Sequence, residues 1–256
     1  MSKRKRFLIT SIFLSLGFIG IQFLTNQNRF WTIGLLGILT IIMFAWSLWE
    51  GLGRDMTLLT LILPTIFTLG VGMFWFLLPI SVFARIPVII FYGIGIYVLA
   101  LTTNIFSVSA IRTIALVRAA RGVGFVITLV TSFLVFDTIL SLRAPLILTV
   151  PLIVFVAFLL YFQGFWAVNL VKTFSVDLVV LSLISSIIVG EIATVLYFWP
   201  VTVVVGALFL TVAVYVLLGL GQAKVEGRLF PAILREHVIV GILVFFAMFF
   251  ATHWGG

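Results

Sequence analysis

The chain has no cysteine, which removes disulfides, thiolate metal sites and cysteine nucleophiles together. Charge is nearly as scarce. Only 9% of the 256 residues are Asp, Glu, Lys or Arg, against roughly 25% in soluble domains, so a water-facing fold would lack the polar surface to cover itself. No connection is long and polar enough to form a soluble domain. Catalytic motifs are missing as well. There is no H-E-x-x-H zinc motif, no G-x-S-x-G elbow, no P-loop, no glycine-rich dinucleotide fingerprint and no pair of nearby acids suited to aspartyl chemistry. These absences argue against an intramembrane enzyme and imply no cofactor and no metal.

What is present is apolar. Hydrophobic residues make up 64% of the chain, and the mean hydropathy is +1.39. Apolar stretches near or above the roughly 18 residues that a bilayer crossing needs recur from end to end. Outer-membrane strands would alternate apolar and polar side chains, whereas these runs are apolar on every face. The fold class is therefore all-α, a polytopic transmembrane helix bundle forming one membrane domain over 1–256, with no soluble domain. Nine spans are expected at 7–25, 30–50, 56–79, 86–106, 118–141, 145–168, 174–199, 201–221 and 236–254. The first follows "MSKRKR" and continues through "LGFIGIQFLT" without a small-residue cleavage site, which reads as an uncleaved signal anchor.

A cytoplasmic N-terminus makes a countable prediction. Twelve basic residues then lie inside: Lys3, Arg4, Lys5, Arg6, Arg54, Arg112, Arg118, Arg121, Lys172, Lys224, Arg228 and Arg235. Three lie outside: Arg29, Arg85 and Arg143. That asymmetry is what the positive-inside rule expects, and it places the C-terminus outside after nine crossings. Trp31, Trp49, Trp199 and Trp254 fall near predicted span ends, where amphipathic rings favour the headgroup layer. The net charge of +8 is thus explained by topology and gives no reason to expect nucleic acid as a partner. The expected partners are the bilayer, anionic lipids at the cytoplasmic face, and a second copy or other membrane subunits. The expected location is an inner or plasma membrane.

The segment "SAIRTIALVRAARGVGF" spaces Arg112, Arg118 and Arg121 at multiples of three, as voltage-sensing helices do. A sensor needs arginines within the field and carboxylate partners on neighbouring helices. The spans offer few carboxylates, and no TVGYG-type filter follows. These arginines read instead as topology signals and lipid-headgroup contacts. The run "NIFSVSAIRTIALVRAARGVGFVITLVTSFLVFDTIL", residues 104–140, resembles part of an uncharacterised bacterial integral-membrane family. The resemblance implies an inner-membrane protein and carries over no activity and no functional residue.

Ionisable groups inside spans are the best functional leads, because each costs at least about 2.5–3.5 kcal/mol at a helix centre. Most of the seven carboxylates sit elsewhere. Asp55 is placed to N-cap the third span, and Glu50, Glu226 and Glu236 belong to cytoplasmic ends or loops. Asp177 lies in the first turns of the seventh span, where the helix dipole accommodates a carboxylate. Glu191 lies about two turns from the far end of that span, and Asp137 about one turn from the end of the fifth. Arg143 is positioned to pair with either. The alternative for Glu191, and more weakly for Asp137, is a proton- or substrate-binding carboxylate. Ser182, Ser186 and Gly190 form a small-residue row on which another helix can pack. Glu191 stands about 180° away from Ser182, and Asp177 lies close to its face about 21 Å distant.

Weaker signals complete the inventory. Pro64, followed by Gly70 and Gly72, marks a candidate kink in the third span. His237 and His253 lie at opposite ends of the ninth span and do not form a metal site. Asn104, Gln163 and Asn169 suit interhelical hydrogen bonds. Two functional classes survive. One is a non-catalytic membrane subunit or assembly protein that works through helix–helix or lipid contacts. The alternative is a transporter or permease for a small or lipophilic substrate, proton-coupled through Glu191.

Overall fold

The computed structural model describes residues 2–21, 26–49, 56–78, 82–109, 116–170 and 175–252. Among them are nine α-helices and no strand. The helices are α1 (Lys3–Ile21), α2 (Asn26–Leu48), α3 (Met56–Phe74), α4 (Val82–Ser109), α5 (Val117–Ser141), α6 (Leu146–Asn169), α7 (Val176–Phe198), α8 (Val203–Val225) and α9 (Pro231–Ala251). A 3-10 turn at Trp75–Leu77 follows α3. Eight of these helices, α2 to α9, are long and apolar enough to cross a bilayer. α1 opens with Lys3, Arg4, Lys5 and Arg6, which shortens its apolar part. Arg54, Asp55, Glu50, Arg112, Lys172, His253 and Trp254 lie outside the described residues.

The helix ends follow local chemistry. Ser175 and Thr202 cap α7 and α8 by accepting hydrogen bonds from the backbone N–H groups of Leu178 and Val205. α9 starts at Pro231, five residues before the expected 236, because proline at the first helical position loses no hydrogen bond there. Arg235 and Glu236 are therefore inside the helix and not before it. Pro64 is buried within an α3 that remains helical from Met56 to Phe74. It removes the backbone donor that would normally reach the Thr60 carbonyl.

Contacts divide the chain into two compact units, residues 1–127 and 128–256. In the first, glycines let side chains of neighbouring helices come close to the backbone. A Cβ on Gly17 would meet Leu36 at 2.7 Å, one on Gly72 would meet Ile33 at 2.8 Å, and one on Gly37 would meet Leu69 at 2.9 Å. Ile33 to Gly72 and Gly37 to Leu69 run in opposite order, so α2 and α3 are antiparallel. Gly95 of α4 receives the Phe67 ring of α3. The Gly93 carbonyl accepts a 2.6 Å hydrogen bond from Ser11 Oγ of α1. Such approaches supply van der Waals contact where no water is left to expel.

The second unit is organised around α6. Ile153, Ala157, Leu160, Tyr161 and the whole stretch from Gln163 to Val168 are buried. α6 and α8 exchange seats. Leu218 fits over Gly164 and Phe165 over Gly221, while Gln222 Nε2 donates to the Gly164 carbonyl at 3.1 Å. α7 lies against α6 through Gly190, whose Cα faces Val154 and Val150. α9 packs antiparallel on α8. His237 fills the notch at Gly219 and stacks on Tyr215, and Phe245 meets Phe209. Of α9's own residues only Met248 is buried.

Candidate functional site

The intramembrane polar residues divide into those that close on themselves and those that face outward. Serine and threonine hydroxyls mostly return to carbonyls of their own helix, as Ser182 does to Leu178 O and Ser186 to Leu183 O. This internal bonding lets a hydroxyl enter an apolar region without an orphan donor. Ser182, Ser186 and Gly190 are all buried within the chain, and Gly190 meets α6 directly.

The three carboxylates are not brought together. Glu191 is exposed on α7. It borders an open groove of about 310 Å³ whose other lining residues are Ile192, Val195, Leu196, Trp199, Phe209, Phe245 and Met248. No second charged residue lines it. Trp199 Nε1 already donates to Thr252 Oγ1 at 2.9 Å. Asp177, also exposed, sits in the first turn at the other end of α7. It borders a larger cleft of about 590 Å³ with Lys224, Asn169 and Ser175 at its polar part and Val180, Leu181 and Ile184 at its apolar part. Asp137 is 4% exposed, and its Oδ1 has no hydrogen-bond partner.

Arg143 does not fill the expected role. It stands exposed at the turn between α5 and α6, with φ 48°. Among the described residues it forms no ion pair with Asp137 or Glu191. The ion pair between described residues lies elsewhere, from Arg228 to Glu226 at 3.8 Å. Arg118 is exposed and Arg121 half-buried near the start of α5; Arg112 lies outside the described residues. Among those residues, no group of three His, Cys, Asp or Glu side chains could hold a metal ion.

The most connected polar cluster was not singled out from sequence. Tyr92 of α4, Thr68 of α3 and Thr40 of α2 form a chain of buried hydroxyls with 3.1 Å between neighbours. Thr68 also donates to the Pro64 carbonyl at 2.9 Å, and the single Thr40 proton is shared between Thr68 and the Leu36 carbonyl, 2.8 Å away. With the Thr68 proton committed, Tyr92 is the donor to Thr68. The Tyr92 ring meets Phe18 at 4.6 Å, and Phe18 meets the Trp75 ring edge-on at 5.7 Å. The guanidinium of Arg85 lies over that indole, 5.1 Å from its centroid. Three helices and the 3-10 turn are thus joined to α1 by one polar and aromatic path. The available signal was a threonine one turn after Pro64, which marks a carbonyl close to a hydroxyl. Arg85 carried no signal beyond its charge.

Residues 46–251 match a family described as "Protein of unknown function (DUF5656)". No curated protein matches the chain, and no solved structure does.

Proposed function

We propose that this chain, which belongs to the DUF5656 family, is a non-catalytic subunit of a bacterial inner membrane that assembles through the outward faces of its helices. In this reading it crosses the bilayer nine times, with α1 as the first crossing, the N-terminus in the cytoplasm and the C-terminus outside. The distribution of basic residues supports that orientation.

The observation that carries the proposal is α9. Along its 21 residues only Met248 is buried, while Leu234, Val238, Ile242, Leu243, Phe246 and Phe250 are exposed. A helix gripped on one side offers most of its circumference to a partner helix or to lipid, and large apolar side chains suit either. The described buried hydroxyls, by contrast, mostly return to carbonyls of their own helices.

The absence of cysteine makes the test clean, because any introduced cysteine is unique. Leu243→Cys or Phe250→Cys in native membranes should form an oxidative or bifunctional crosslink to a second copy or another subunit. Met248→Cys should not. A chain that remains uncrosslinked at both outward positions, and that carries a solute into proteoliposomes, overturns the proposal. The second reading, a permease for a lipophilic substrate, draws on the groove beside Glu191. It lacks any other charged group in that lining to act with the carboxylate.

A further inference from the structure

Arg85 is the one arginine buried in the described part of the first unit, at 5% exposure. Its Nε has no hydrogen-bond partner, and neither does Nε1 of Trp75, itself 1% exposed. Two adjacent side chains therefore hold buried donors with no acceptor, and one of them carries a full charge. Taking a guanidinium out of water without a counter-charge is costly, and stacking on an indole returns only part of that cost.

Among the described residues of the first unit there is no Asp or Glu to supply a counter-charge. Backbone geometry adds to the demand, because Arg85 is the fourth residue of the 28-residue α4. The first turn of a helix presents free N–H groups and a partial positive charge, so it offers no carbonyl to the guanidinium and itself attracts an anion.

We propose that Arg85, Trp75 and the first turn of α4 form an oxyanion site that takes a phosphate group. The planar fork of arginine matches two phosphate oxygens, and a further oxygen can accept from the indole N–H. The phosphate belongs either to an anionic phospholipid or to free inorganic phosphate. Both sources present the same chemistry to these donors. The site goes beyond the assembly role argued above and is argued independently of it, from residues of the first unit alone.

The test uses the full chain purified in detergent. Native mass spectrometry with phosphatidylglycerol, and thermal unfolding with phosphatidylglycerol or with inorganic phosphate, read the two sources separately. Phosphatidylglycerol binding that weakens roughly tenfold in Arg85→Gln, less in Trp75→Phe, and hardly at all in Arg143→Gln supports a lipid headgroup. Stabilisation by inorganic phosphate that Arg85→Gln abolishes supports the free anion as the source. If Arg85→Gln does not fold, Arg85→Lys and the wild-type unfolding shift decide the matter. A wild type stabilised by neither phosphate nor phosphatidylglycerol overturns the proposal, and so does lipid retention unchanged in the Arg85 variants.

Discussion

Gly190 of α7 and Val154 of α6 sit so close that a Cβ on the glycine would overlap the valine Cγ2. Valine is stiff at χ1, so its methyl cannot swing aside cheaply. Gly190→Ala should therefore lose about 1–3 kcal/mol of stability, despite the better helix propensity of alanine. Thermal unfolding in detergent checks this. Adding Val154→Ala should restore much of the loss, and a double variant no better than the single would show that the two residues are not in conflict.

Tyr92→Phe removes the donor that Thr68 accepts at 3.1 Å and keeps the ring against Phe18 and Phe67. The expected loss is about 0.5–1.5 kcal/mol, because interhelical hydrogen bonds within membranes are individually modest. Thr68→Val should cost more. It takes away Tyr92's acceptor and leaves a buried phenol unsatisfied. Equal losses in the two variants would mean that the phenol finds another partner.

Reporter fusions after Arg6, within Lys224 to Arg235 and after Gly256 should report inside, inside and outside. A C-terminus on the same side as Arg6 would contradict the nine-crossing topology. Arg118→Gln combined with Arg121→Gln should weaken contact with anionic lipid or disturb insertion. Charge movement under a voltage step that disappears in this double variant would instead make these arginines sensors.

Glu191→Gln keeps the side chain's length and much of its hydrogen-bonding capacity while removing its charge. Because Glu191 is exposed and borders an apolar groove, the substitution should change stability by less than about 1 kcal/mol and leave crosslinking at α9 intact. Proton-dependent uptake in proteoliposomes that this variant abolishes would favour the permease reading.

Much of the helical layout was legible because it rests on one-dimensional signals, namely apolar length and the punctuation between runs. α5, expected at 118–141, occupies Val117–Ser141, and α6, expected at 145–168, occupies Leu146–Asn169. The early start of α9 was written in "FPAILREH", where Pro231 suits the first helical position. The site was far less legible. When a helix is apolar all round, periodicity no longer says which side meets a neighbour. Nothing near Arg85 in sequence tells that it lies over Trp75, and nothing near Glu191 tells that it faces outward. Tyr92, Thr68 and Thr40 come from three helices, so their meeting depends on register, which glycines at 37, 72 and 95 help to set.

The contrast between α6 and α9 has a consequence for how the sequence can drift. At α6, where Gln163 to Val168 are buried in succession and Gly164 seats Leu218, each position is constrained in volume, and few substitutions should survive. Over most of α9, natural variation should preserve hydropathy and ignore shape, so that Leu, Ile, Val and Phe interchange freely at 239, 242, 243, 246 and 250. A saturation library would then separate the two helices by the kind of substitution each tolerates. A band of α9 positions as intolerant as α6 would trace the footprint of a binding partner that no single copy of the chain reveals.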